Sequence, residues 1–142
     1  MAAENTEEYG IGRTSSTDEI PAPDLPYQPR QPLHYRPAIG LIGCGGISEM
    51  HLRAYQQAGY NVVALCSRNL DNATKRQQEF FPAATLYRDY HELLKRDDIE
   101  VVDITPHPDD RLPILTAALN AGKHILSQKP FVIDLDVGER LV

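Results

Sequence analysis

Gly40-Leu41-Ile42-Gly43-Cys44-Gly45-Gly46-Ile47-Ser48 is the stretch on which the fold turns. Pro37–Ile42 reads as a short buried strand, and from Ile47 the apolar positions Ile47, Met50, Ala54 and Ala58 take helical spacing. A strand therefore becomes a helix across glycines. Gly43 lets the chain turn sharply off the strand. Gly45, lacking a Cβ, lets a pyrophosphate approach the backbone where the first helix amides point outward. The third position of the G-x-G-x-x-G pattern is Ser48, small enough for close helix-to-strand packing and with a hydroxyl that is a candidate phosphate contact. Taken alone, the glycines are also compatible with a tight turn that binds nothing. The continuous apolar run Asn61–Cys66 completes a βαβ unit and favours a dinucleotide site built from Gly43, Gly45, Gly46 and the amides of Ile47 and Ser48.

Beyond the helix, which Gly59 ends, the chain continues in the same alternation. Where Asn61–Cys66 stops, the cofactor's ribose is expected, and an acidic residue there usually bonds the 2′-hydroxyl of NAD. This chain has Ser67-Arg68-Asn69 instead, so no carboxylate repels a 2′-phosphate and Arg68 is available to pair with it; the cofactor is NAD or NADP, with NADP favoured. A helix over 70–80, a strand over 85–87, a helix over 89–96 and a strand over 99–104 follow. Asp103 interrupts the last strand, either bonding loop amides or marking where the strand leaves the core. The loop from Thr105 to Arg111 exits on the ligand side of such a sheet. There His107 and Arg111 are candidate cofactor or substrate contacts, while Asp109 and Asp110 also suit a helix start. A helix over 112–121, with Pro113 in its first turn, leads to the strand His124–Ser127 and to Gln128-Lys129-Pro130. His51, one turn beyond Ile47 on the inward face, reads as a satisfied packing residue rather than a ligand.

The chain has 142 residues, 42% of them hydrophobic, enough for one domain with a core and not for two. Residues 1–36 hold five of the eleven prolines, six acidic and three basic side chains and no apolar periodicity, which predicts a disordered, proline-rich acidic leader; 37–142 form the dinucleotide-binding domain. Tyr27, Leu33 and Tyr35 are the leader's candidate docking residues. A net charge of -6 without a basic stripe argues against nucleic acid and membrane surfaces as partners. Nothing before Gly40 offers a signal peptide or membrane span, and Cys44 and Cys66 read as reduced apolar side chains of a cytoplasmic protein. No metal site is expected.

Five motifs in order, Gly43-Cys44-Gly45-Gly46-Ile47-Ser48, His51, Thr105-Pro106, Ala121-Gly122-Lys123-His124 and Lys129-Pro130, resemble the N-terminal domain of the Gfo/Idh/MocA oxidoreductases, from Ile39 to the end of the chain. The resemblance implies an α/β, doubly wound parallel sheet of Rossmann type with strand order 3-2-1-4-5. It also implies hydride transfer between NAD(P) and a sugar, cyclitol or related hydroxy compound, and a homo-oligomer. Lys129 takes over a catalytic place beside the nicotinamide, and Pro106 and His107 border the cofactor. Three departures stand out: the family's Glu-Lys-Pro is Gln128-Lys129-Pro130 here, the histidine that the family often carries in the loop after the fourth strand gives way to Asp109-Asp110-Arg111, and the family's second, substrate-binding domain is not in this chain. The C-terminal helix is therefore expected to mark an incomplete domain, active only with the missing part. A dinucleotide-binding module or sensor without catalysis is the alternative.

Overall fold

β1 (Ala38–Ile42) lies at the centre of five parallel strands. It is flanked by β2 (Asn61–Cys66) and then β3 (Thr85–Tyr87) on one side, and by β4 (Val101–Ile104) and then β5 (His124–Ser127) on the other. The order is thus 3-2-1-4-5, as expected, and this α/β doubly wound arrangement places the carboxyl ends of β1 and β4, where the strand order reverses, side by side. The computed structural model describes residues 21, 23–25, 30 and 32–142. Met1–Gln31 and Pro32–Val142 separate as two units, and the described residues of the first carry no helix or strand. Tyr27 lies outside the described residues.

Alternation along the strands, interrupted in β2 by a register shift opposite Ile39 and Gly40, sends side chains to two cores. Ile39, Leu41, Val62 and Leu65 pack with Leu52 of α1 (Ser48–Ala58) and with Ala73 and Phe80 of α2 (Leu70–Phe80). Ile42, Ala64, Val102 and Ile104 pack on the opposite face with Leu93 and Leu94 of α3 (Tyr90–Leu94) and with Ile114, Leu115 and Ala118 of α4 (Pro108–Asn120). Burial on both faces is why β1 and β2 read as unbroken apolar runs rather than alternating ones. The seven-residue C-terminal helix α5 (Leu135–Leu141) sets Leu141 against the second core.

Several boundaries differ from expectation. α4 starts at Pro108, four residues before Leu112, because Pro108 suits the first helical position and Asp109 and Asp110 complement the positive end of the helix dipole. Pro113 consequently sits inside α4 rather than in its first turn, where it has no N–H to return to the preceding turn. α1 begins at Ser48, one residue past Ile47, and β4 at Val101, not Ile99. The last residues ahead of β1 are also engaged: Tyr35 donates to Glu100, and Arg36 donates to the Ala58 and Gly59 carbonyls at the end of α1 at 3.2 and 3.1 Å. Leu33 is exposed.

Candidate functional site

The turn after β1 is built by exclusion of side chains. Gly43, at φ +99°, donates its N–H to the Cys66 carbonyl at 2.8 Å, and a Cβ there would lie 2.7 Å from Thr105 Oγ1 and 2.8 Å from Pro106 Cδ. The close approach of the β1 and β4 exits therefore requires glycine. A Cβ on Gly45 or Gly46 would meet nothing within 4 Å. Among the described residues the N–H groups of Gly45, Gly46, Ile47 and Ser48 reach no backbone carbonyl, and Ile47 supplies no side-chain cap to α1. By contrast, Asn69, Asp89 and Asp134 cap α2, α3 and α5 with their own oxygens. The start of α1 is thus left with unspent donors at the positive end of its dipole.

Ser48 corrects one expectation. Its side chain is fully buried and its hydroxyl donates to the Gly45 carbonyl at 2.6 Å, so it stiffens the turn and does not face outward. The packing half of its reading holds.

Over this turn opens a cavity of about 640 Å³, within the range of small-molecule sites. Of the residues expected from the sequence, Gly43, Gly45, Ser67, Arg68, Pro106 and His107 line it; Gly46, Ile47, Ser48 and Lys129 do not. Asn72, Arg88, Asp89 and Tyr90 also line it and were missed; the signal was available, since the exit of β3 lies on the same sheet end as that of β2. Arg68 reaches over to Asp110 of α4 at 2.8 Å, and Arg88 Nε donates to the Arg68 carbonyl at 3.4 Å. The cavity suits an elongated anion-bearing ligand: Gly45, with its free amide and no side chain, lies at one end, and the guanidinium groups of Arg68 and Arg88 at the other.

Behind the turn lies a buried polar group. Asp103, fully buried between Leu41 and Leu126 in the sheet, bonds no loop amide and does not leave the core. Its Oδ2 stands 2.7 Å from His51 Nδ1 and accepts the Tyr55 hydroxyl at 2.8 Å. Burial and the adjacent carboxylate push the Tyr55 phenol above its ordinary pKa, so it remains a donor. His51 Nε2 meets Gln128 Nε2 at 3.1 Å, which bears out its reading as a satisfied residue. Arg111 is not a ligand contact. It is almost wholly buried, donates to the Pro106 carbonyl at 2.7 and 3.2 Å and also to the carbonyls of Gln128 and Pro130, and so ties the β4 exit to the β5 exit. Lys129, joined to Pro130 by a cis peptide bond, is exposed beyond this clamp.

Residues 38–142 match the model of the Gfo/Idh/MocA oxidoreductase family, NAD-binding Rossmann fold. The chain belongs to this family. Inositol 2-dehydrogenase of Salmonella paratyphi B is 33% identical over 105 residues, 72% of this chain and 31% of that protein. Inositol 2-dehydrogenase/D-chiro-inositol 3-dehydrogenase of Lactiplantibacillus plantarum is 34% identical over 98 residues, 68% of this chain and 28% of that one. The chain thus spans about a third of the length of the curated relatives it matches. Among solved structures, a 3-ketoreductase from Actinomadura kijaniata in complex with TDP-benzene and NADP, in an open conformation, superposes with a TM-score of 0.67 at 33% identity, over 75% of this chain and 34% of that one. Scyllo-inositol dehydrogenase from Lactobacillus casei, with NAD(H) and scyllo-inositol, shares the fold with a TM-score of 0.66 at 24% identity, over 75% of this chain and 32% of the other.

Proposed function

We propose that residues 37–142 are the NAD(P)-binding half of an oxidoreductase acting on a sugar, cyclitol or related hydroxy compound, preceded by a proline-rich acidic leader over 1–36. The observation that carries this reading is the uncapped start of α1 beside Gly45, whose missing side chain leaves the floor of the cavity open. Gly43 and Gly45, with the amides of Gly46, Ile47 and Ser48, receive the diphosphate; Ser67 and Arg68 receive the adenosine ribose; Pro106 and His107 border the cofactor. The nicotinamide supplies hydride transfer when bound. Lys129 is the catalytic residue: its ammonium orients the reacting hydroxyl, or its neutral amine accepts the proton that the hydroxyl releases as the hydride leaves for the cofactor. The full-length protein is a cytoplasmic homo-oligomer. No helix among the described residues is long and apolar enough to cross a membrane.

NADP is favoured over NAD. Arg68 at the cavity mouth supports this; its guanidinium pairs there with Asp110, a carboxylate that the sequence reading did not foresee beside it and that a 2′-phosphate must displace. Titration with NADPH and NADH, followed by nucleotide fluorescence, is expected to saturate for both, and Arg68→Ala is expected to weaken NADPH about tenfold more than NADH. Equal losses would remove the phosphate assignment, and absence of saturation would remove the cofactor site. Gln128 in place of the family's glutamate keeps a second reading alive, a dinucleotide-binding module without catalysis. In a longer form that turns over polyol, full activity of Lys129→Ala would reject the role given to the lysine.

A further inference from the structure

The side-chain amide of Gln128 is held at both ends, and this fixes a proton elsewhere. Its Oε1 accepts the Lys129 backbone N–H at 2.7 Å, so its NH2 is the end that faces His51 Nε2 at 3.1 Å. An amide nitrogen only donates, so Nε2 must present a lone pair. At the other side of the ring Nδ1 lies 2.7 Å from Asp103 Oδ2, an acceptor, and must carry the proton. Asp103 depends on that bond: its Oδ2 takes both His51 and Tyr55, and its buried Oδ1 has no partner among the described residues.

We propose that Gln128 locks His51 as the neutral imidazole protonated on Nδ1, and that the chain Asp103–His51–Gln128 positions the Lys129 main chain according to the charge of His51. Protonating Nε2 would set two donors against each other. The amide then turns its oxygen to the ring and its NH2 to Lys129 N–H, which loses its acceptor. A carboxylate at 128 behaves differently, because it accepts from both an Nε2–H and the Lys129 N–H and favours the imidazolium. Glutamine at this place therefore makes the lysine's backbone sensitive to His51, where glutamate would not. Among the described residues the ionisable groups that bond His51 or its partner are Asp103 from β4 and, on the same carboxylate, Tyr55 from α1; at the β5 exit Gln128 bonds the ring and the exposed Lys129 follows it, and Arg111 from α4 reaches the Gln128 carbonyl rather than the ring. What Lys129 does chemically rests on the proposed function; the tautomer does not.

Nitrogen NMR of the full chain labelled in histidine and backbone amides tests this, with His51→Asn identifying the ring signals. At neutral pH His51 is expected to show a protonated Nδ1 and an unprotonated Nε2. On acidification the Lys129 amide signal should move with the His51 midpoint. Gln128→Glu should raise that midpoint while the Lys129 amide keeps its acceptor. In Gln128→Ala the Lys129 amide should exchange with solvent faster. A proton on Nε2 at neutral pH, a Lys129 amide indifferent to the His51 titration, or an unmoved midpoint in Gln128→Glu would overturn the proposal. Failure of NADPH to bind a chain that shows the expected tautomer would count against the proposed function and not against this inference.

Discussion

Gly43 and Gly45 stand two residues apart and are glycine for different reasons. At Gly43 the backbone is left-handed and the neighbouring exit of β4 fills the space of a side chain. Gly43→Ala is therefore expected to lower stability by roughly 2 kcal/mol or more, seen as a reduced denaturant midpoint. At Gly45 the space is open, so Gly45→Val should leave the midpoint where it was and weaken NADPH by about tenfold or more, since the new side chain enters the cavity. A loss of stability in Gly45→Val without loss of affinity would mean that the glycine serves the fold and no ligand. The sequence pattern distinguished the two roles because it fixes where a turn and a close approach must fall. It could not reveal the inward turn of the Ser48 hydroxyl, which depends on a carbonyl three residues back that only the formed turn presents.

Between elements, the least legible residue was Arg111. In the sequence it follows two aspartates in a proline-flanked loop and reads as a charged ligand contact; in the fold α4 begins earlier, and the resulting rotation buries the guanidinium between the β4 and β5 exits. Burial pulls its pKa below the ordinary arginine value, and its charge is met by three backbone carbonyls. Arg111→Met should cost about 3 kcal/mol, because carbonyls of Pro106, Gln128 and Pro130 lose their donor. Arg111→Lys, with fewer donors, should fall between. Urea midpoints at constant slope measure both, and a neutral Arg111→Met would show that those carbonyls find other partners. Asp103 was opaque for a related reason: its partners Tyr55 and His51 come from a helix some fifty residues earlier, a pairing that strand periodicity does not encode. The strands themselves were readable nearly to the residue, since five short apolar runs each ended at a turn signal.

For the molecule as a whole, the two thiols report on integrity. Cys44 and Cys66 are buried on opposite cores, and burial pushes each pKa up to about 12 from an ordinary value of 9.0. Below pH 9 both states keep the thiols protonated and stability is unaffected. From pH 9 to 12 the unfolded chain releases these protons and the folded one retains them, so stability falls by about 1.4 kcal/mol per thiol per pH unit. Urea unfolding between pH 8 and 11 should show this decline, and Cys44→Ala with Cys66→Ala should flatten it; an undiminished slope would assign it to other groups. The central claim is that a dinucleotide diphosphate rests on the free amides at the start of α1, and the structure of the chain crystallised with NADPH tests it most directly. The diphosphate is expected within hydrogen-bond distance of the Gly45–Ser48 amides and the adenosine toward Arg68; a nucleotide bound away from this turn would contradict the assignment.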